Sequence, residues 1–288
     1  MKAVRFVSPD GSTRLGRLDG EVVTDAGPAP DVGFVPTAQA WSDLAAADGP
    51  RHNLGSLRLL APLRPPKILA IGLNYVSHAE ESELEVPPVP VVFAKLPTSV
   101  IGPEQDIVIP LEETRPDFEG EVAVVIGRPT YRATVEQAWA SVGAVTALHD
   151  VSGRRAQLET PLRQFTLGKS FDTFTPLGPC LASADGFDPE KITLRTTVSG
   201  EVMQDADTSE LIFSIAWLIS YLSRGVTLEP GDVIATGTPG GVGDSRVPPR
   251  YLVEGDRVDV EVGGVGTLSN PVRHERIASV PVEEGKAR

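Results

Sequence analysis

One cysteine, Cys180, occurs in 288 residues. No intrachain disulfide can form, so the fold has to rest on its core, as suits a reducing cytoplasm. Positive charge is also short. Lys and Arg number 26 against 39 Asp and Glu, a formal net charge of -13, and no basic cluster offsets it locally. That balance argues against a nucleic-acid or anionic-membrane partner. Long hydrophobic runs are missing as well, because LIFSIAWLISYL is broken by Ser214 and Ser220 and falls short of the roughly 20 residues a membrane helix needs. The start, MKAVRFVSPDG, has no signal-peptide apolar region, and the expectation is a soluble, cytoplasmic protein.

What is there is ordinary for a globular enzyme-sized chain: 41% hydrophobic and 23% charged residues, long enough for one large domain and a small one. The first 60 or so residues hold short strand-like runs separated by SPDG and LDGE turns, then a short helical stretch around Ala38 to Ala47. The proline-rich APLRPPK marks a boundary, predicting a small N-terminal domain over 1–64 and a larger one over 65–288. Beyond it, strands are expected at KILAIGLNY, Val91 to Lys95, Phe118 to Ile126 and AVTALHD, with GDVIATGTPGGVG running from a strand into a glycine-rich loop. EGDRVDVEVGGVGTL reads as a hairpin turned at Gly263 and Gly264. Thr134 with Gln137 predicts a capped helix to about Val142, and a second helix is expected from Thr208 or Ser209 to a glycine stop at Gly225. Strands outnumber helices without regular βαβ alternation, so the class is mainly β with α, an α+β protein.

The segment PDFEGEVAVVIG poses a physical problem. Residues alternate faces along a strand, so Glu119 and Glu121 point the same way, beside Ala123 and Val125 in a strand apolar on both faces. Buried carboxylates need partners. A divalent cation would supply one, magnesium, manganese or calcium at roughly 2.0 to 2.6 Å; a solvated strand end is the plainer alternative. Asp150, ending AVTALHD, offers either a third ligand or a turn cap. His149 faces the other way and is expected to pack rather than to bind.

Lysine is scarce, six against twenty arginines, so Lys95 at the end of VVFAK and Lys169 in LGKSF invite an anion-anchoring role. For Lys95 a stem along apolar surface with its head in water serves equally well. HDVSGRRAQ places Arg154 and Gln157 one helical turn apart, where both can face one ligand, with Arg155 outward. In NYVSHAEE, His78 and Glu81 stand at i, i+3, a spacing that lets a carboxylate orient an imidazole as a general base, or that makes a plain surface pair. GTPGGVG lacks the GK[ST] ending of a phosphate loop, but its free N–H groups and the Thr238 hydroxyl can hold a carboxylate.

In order along the chain, KILAIGLNYVSHAEE, PDFEGEVAVVIGR, HDVSGRRAQ, LGKSFDTFTPLGP, VMQDADTSELIFSI and GDVIATGTPGGVG resemble the fumarylacetoacetate hydrolase family from about Lys67 to Arg273, in the branch with a small N-terminal domain. The resemblance implies a mixed β-sandwich roll, usually a homodimer. It further implies metal ligands Glu119, Glu121 and Asp150, a water-activating dyad of His78 and Glu81 on a lid, and contacts to substrate oxygens from Arg154, Gln157, Lys169 and Thr238. The cofactor implied is Mg²⁺, with Mn²⁺ or Ca²⁺ as substitutes, and the partner a small-molecule 2-oxo acid. One segment departs from the family pattern Asn-Asp-Val-Ser-Ala-Arg-Asp: here His149, Gly153 and Arg155 replace Asn, Ala and Asp.

Family members cleave, decarboxylate, isomerise or hydrate 2-oxo acids, so the motifs fix a chemistry more than a substrate. The leading expectation is a metal-dependent hydrolase of a C–C bond in an acylpyruvate-like 1,3-diketo acid. The alternative is a decarboxylase, keto–enol tautomerase or isomerase of oxaloacetate or a related 2-oxo acid. A catalytically silent metal-binding structural protein is a third reading, disfavoured because binding alone does not need a base dyad.

Overall fold

The computed structural model describes residues 1–159 and 161–276. Among these, β-branched and apolar runs form two large sheets, beside a two-stranded ribbon of Pro116–Asp117 and Ser152–Gly153. The larger, twelve-stranded sheet runs in the order Arg51–Asn53, Val22–Pro28, Thr13–Asp19, Lys2–Val7, Thr175–Ser183, Val142–His149, Gly120–Ile126, Val233–Ala235, Ile68–Gly72 and Val91–Lys95, with two short strands off this path. The N-terminal strands are hydrogen-bonded into it through Lys2–Val7, which pairs antiparallel with Thr175–Ser183. Most neighbours are antiparallel, but Val233–Ala235 lies parallel to Ile68–Gly72.

The second sheet is five-stranded: Glu201–Asp207, Thr193–Val198, Arg257–Val262, Gly266–His274 and Ile107–Ile109. Its hairpin turns through Gly263 and Gly264. The sheets share one core in which Val122, Val124 and Ile126 meet Leu194, Val260 and Leu268. The opposite face of the same strand, Ala123 and Val125, packs with Ala144, Leu148, Leu177 and Leu181. Gly120–Ile126 is thus buried on both faces, and the protein is mainly β with α, sheet packed on sheet.

Helices are few and short. Thr134 and Gln137 form the expected capping box for Val135–Ala138, after which the turn tightens to a 3₁₀ helix over Trp139–Ser141. The apolar helix departs from expectation. It spans Ile215–Ser223 and is capped by Ser214, whose Oγ accepts from Trp217 N at 3.3 Å. Thr208–Glu210 is a separate 3₁₀ turn with its own capping box from Asp207 and Glu210. Gly225 takes no left-handed backbone, since the Arg224 N–H closes on the Tyr221 carbonyl in a right-handed turn. Cys180 is free and fully buried, and burial pushes its thiol up to about 11.

Candidate active site

Strand pleating delivers the carboxylates. Glu119 and Glu121 share alternation with Ala123 and Val125, and Asp150 with Leu148 and Ala144, so all three belong to one core layer. One oxygen of each lies within 4.8 Å of the others, and the groups are almost wholly buried. The strand begins two residues later than the sequence suggests, at Gly120, because Pro116–Asp117 pairs separately with Ser152–Gly153. That second pairing draws the chain carrying Asp150 against the glutamates, with Asp150 N donating to Glu119 O at 2.8 Å.

Cations already meet this layer. Lys169 Nζ donates to Glu119 Oε2 at 2.6 Å, Asp150 Oδ2 at 2.9 Å and Ser152 Oγ at 2.7 Å, which engages all three ammonium hydrogens. Of the two readings open for Lys95, the anion-anchoring one holds, and the anion is the Asp150 carboxylate. Its head is not in water but 1% exposed, donating to Asp150 Oδ1 at 2.5 Å and to the Lys169 carbonyl. Arg154 Nε donates to Asp117 Oδ2 at 2.9 Å, Nη2 to Glu119 Oε1 at 2.6 Å and Nη1 to Gln157 Oε1 at 3.0 Å. Most of its donors therefore hold the site together.

Electrostatics follow from these contacts. Burial opposes ionisation of Glu119, yet Lys169 and Arg154 hold it well below the usual carboxylate range. Burial beside Asp150 and Glu119 pushes the Glu121 carboxyl well above it, with only the Gly237 N–H at 2.9 Å as a direct donor. Glu119 and Asp150 are met by the lysines, whereas Glu121 has no cationic partner among the described residues, and a divalent cation would supply one. Hard, buried oxygen donors fit a divalent metal ion.

Above the triad lies a cavity of about 610 Å³ lined by His78, Glu81, Glu119, Arg154, Gln157, Lys169 and Thr238. Glu121 and Asp150 sit beneath it rather than on its wall. His78 and Glu81 stand on helix Val76–Glu81, with Nδ1 and Oε1 2.7 Å apart. With Nδ1–H serving Glu81, Nε2 is left as the proton acceptor of a residue that lines the cavity. Glu81 Oε2 in turn accepts from Gly241 N at 2.6 Å.

The glycine-rich loop holds the protein's own carboxylates. Besides Glu121 and Glu81, Asp117 accepts from Gly243 N at 2.7 Å and Asp244 N at 3.0 Å. Gly237 makes this possible at φ +105°, which few other residues adopt. The Thr238 hydroxyl donates to Gly120 O at 2.9 Å and accepts from Gln204 Nε2 at 2.6 Å, so it braces the loop against the glutamate strand.

Two supporting residues, Asp117 and Gln204, are not apparent from the sequence. Asp117 continues the same alternation as Glu119 and Glu121, and that spacing could have found it. Gln204, which also accepts from Gly120 N at 2.9 Å, carries no comparable local signal. The departures at HDVSGRR are accommodated locally. His149 is buried on the face of Val145 and Ala147, with burial holding its pKa down to about 3 and Nε2 unpartnered among the described residues. A Cβ at Gly153 would come within 2.6 Å of Glu113 Oε2, and Glu113 is fixed there by the N–H groups of Arg115, Arg155 and Ala156. Arg155 points outward, 46% exposed.

Among the described residues no helix is long and apolar enough to cross a membrane. The profile of the family described as "Fumarylacetoacetate (FAA) hydrolase C-terminal" matches residues 67–273. "Oxaloacetate tautomerase fahd2, mitochondrial" of Xenopus laevis is 43% identical over 232 residues, 79% of this chain and 73% of that protein. The structure of 5-carboxymethyl-2-hydroxymuconate delta-isomerase from Mycobacterium smegmatis superimposes with a TM-score of 0.80 at 36% identity, covering 96% of this chain and 100% of that one. For 2-hydroxyhepta-2,4-diene-1,7-dioate isomerase from Mycobacterium marinum the TM-score is 0.77 at 33% identity, with the same coverage. A buried acidic triad under a cavity, on a fold shared over nearly the whole length of these enzymes, goes with the family match: the chain belongs to the fumarylacetoacetate hydrolase family of enzymes.

Proposed function

We propose that the protein is a divalent-metal-dependent tautomerase or isomerase of 2-oxo acids, interconverting keto and enol forms at the carbon next to the keto group. The observation that carries this reading is the His78–Glu81 dyad, which lines the same cavity as Glu119 and Lys169. Names of the relatives, oxaloacetate tautomerase and dioate isomerase, support it. A cation held by Glu119, Glu121 and Asp150 would act as a Lewis acid toward the keto oxygen.

The chain's own residues do the rest. His78 Nε2 takes the proton from C3 and returns it to the C2 oxygen to give the enol, or to the far carbon of the conjugated chain in an isomerisation, while Glu81 steadies the imidazolium that forms in between. Lys169 acts through its buried positive charge, lowering the energy of the oxyanion that develops at C2. Gln157, its carbonyl turned to Arg154, has its amide N–H groups left to orient the substrate carboxylate. Arg154 and Thr238 serve by fixing Glu119 and the loop. C–C hydrolysis of an acylpyruvate remains the second reading, favoured by the same dyad's capacity to activate water and by a cavity larger than a four-carbon acid fills.

Catalysis is assigned to 65–288, since every residue lining the cavity lies at or beyond Ile71, with 1–64 as a smaller domain joined to the same sheet. A homodimer in a reducing, cytoplasmic compartment completes the proposal, the latter supported by the lone buried thiol.

The test uses purified protein with Mg²⁺ or Mn²⁺ and with EDTA. Enol loss from oxaloacetate is followed by ultraviolet absorbance, and cleavage of acetylpyruvate and fumarylpyruvate by product analysis. Metal-dependent tautomerisation that falls about 10²-fold or more in His78→Ala is expected. Cleavage without tautomerisation would replace the first reading by the second, and full activity in EDTA would remove the metal.

A further inference from the structure

The cavity has two chemically distinct ends. At its floor the charged groups, Glu119, Arg154 and Lys169, are nearly fully buried and paired with one another. The same wall carries an apolar belt that includes Leu73, Val91, Phe93, Phe165 and Val242, with the Phe93 ring 5.3 Å from Lys169 Nζ. At the rim stands Arg163, exposed to solvent and making no ion pair or hydrogen bond through its side chain among the described residues. Every other cation on the wall is committed to a carboxylate.

Arg163 is also held in an unusual backbone conformation. Its φ is +54°, the left-handed region, which is unfavourable for a non-glycine residue. The bond from Gln164 N to Gln157 O at 2.8 Å, together with Gly168 N to Gln164 O at 2.9 Å, keeps the turn in place. The turn is thereby tied to Gln157, and through it to Arg154 at the floor.

We propose that Arg163 is the specificity-determining residue that receives a second anionic group at the far end of the substrate. This rests on the reading of the cavity as a 2-oxo acid site. The 2-oxo carboxylate is bound at the floor, the carbon chain lies along the apolar belt, and the distal carboxylate meets the guanidinium at the rim. The substrate class is then a 2-oxo dicarboxylic acid with an apolar or unsaturated middle. In a protein of net charge -13, with Glu83 and Glu85 exposed on the same rim, an uncompensated distal carboxylate would be repelled, and Arg163 is the cation placed to prevent that.

The experiment compares a 2-oxo dicarboxylic acid with its distal monomethyl ester, which keeps the reacting end and removes the distal charge. Wild-type, Arg163→Gln and Arg163→Lys proteins are assayed with saturating Mg²⁺. Wild type should prefer the diacid. Arg163→Gln should lose about tenfold in kcat/KM for the diacid, mainly through KM, with the ester little changed, and Arg163→Lys should recover part of the loss. An equal fall for both substrates would make Arg163 a latch against Glu83 or Glu85 and overturn the inference, as would no change for either. Wild-type protein that turns over neither compound overturns the reading of the site itself, an outcome distinct from loss of discrimination.

Discussion

Replacing Lys169 by methionine removes the charge that ties two of the three carboxylates together while keeping most of the side chain's volume. Nζ lies 2.6 Å from Glu119 and 2.9 Å from Asp150, in a place 3% exposed. Breaking a buried pair from one side costs about 3–5 kcal/mol, because the partner is left charged and unpaired. For a chain of this size each kcal/mol is worth roughly 2–4 °C, so metal-free Lys169→Met should melt about 6–20 °C below wild type. A divalent cation neutralises the same carboxylates, and with saturating Mg²⁺ most of that deficit should vanish. Activity should behave differently: stabilisation of the developing oxyanion is lost whatever the metal, and kcat should fall about 10²-fold or more with KM changed much less. Thermal melts with EDTA and with Mg²⁺, beside steady-state kinetics, read both effects. A melting temperature within about 2 °C of wild type in EDTA would refute the electrostatic account, and an unchanged kcat would refute the catalytic one.

Arg154→Lys keeps the charge but cannot span Asp117, Glu119 and Gln157 at once, so Mn²⁺ affinity measured by calorimetry should drop about 10- to 100-fold; an unchanged Kd would show that Glu119 needs no such brace. Far from the site, burial opposes ionisation of Asp256, but Arg250 Nη2 and Ser199 Oγ, each at 2.7 Å, and Val253 N at 2.9 Å keep it below the usual carboxylate range. A depressed pKa stabilises above the unfolded value of about 3.9 and is lost as pH falls through the folded value. Asp256→Asn should therefore lower stability at pH 7 and flatten its decline below about pH 4 in denaturant titrations; an unaltered acid limb would dismiss the assignment.

Much of this site was legible in one dimension. The period-2 spacing of Glu119 and Glu121 ahead of an apolar run, the i, i+3 spacing of His78 and Glu81, and Asp150 at a strand end all depend on local geometry, which a strand or a helical turn repeats wherever it occurs. The capping box at Thr134 and the hairpin at Gly263 and Gly264 are legible for the same reason. Single-sequence signals misplaced the start of helix Ile215–Ser223, because Thr208, Ser209 and Ser214 are all competent caps and packing chooses among them.

Other features exist only in three dimensions. Nothing in VVFAK says that the Lys95 head is buried on Asp150, 55 residues away, instead of in water. Nor does GTPGGVG say that its N–H groups hold Glu121, Glu81 and Asp117. Arg154 carries a donor set that suits a substrate carboxylate or a protein one equally well, and only the approach of Pro116–Asp117 to Ser152–Gly153 commits it to Asp117 and Glu119. Local spacing determines which groups share a face. Which charge finds which partner is set by long-range sheet pairing, since ion pairs reach across whatever elements the fold brings within a few ångströms.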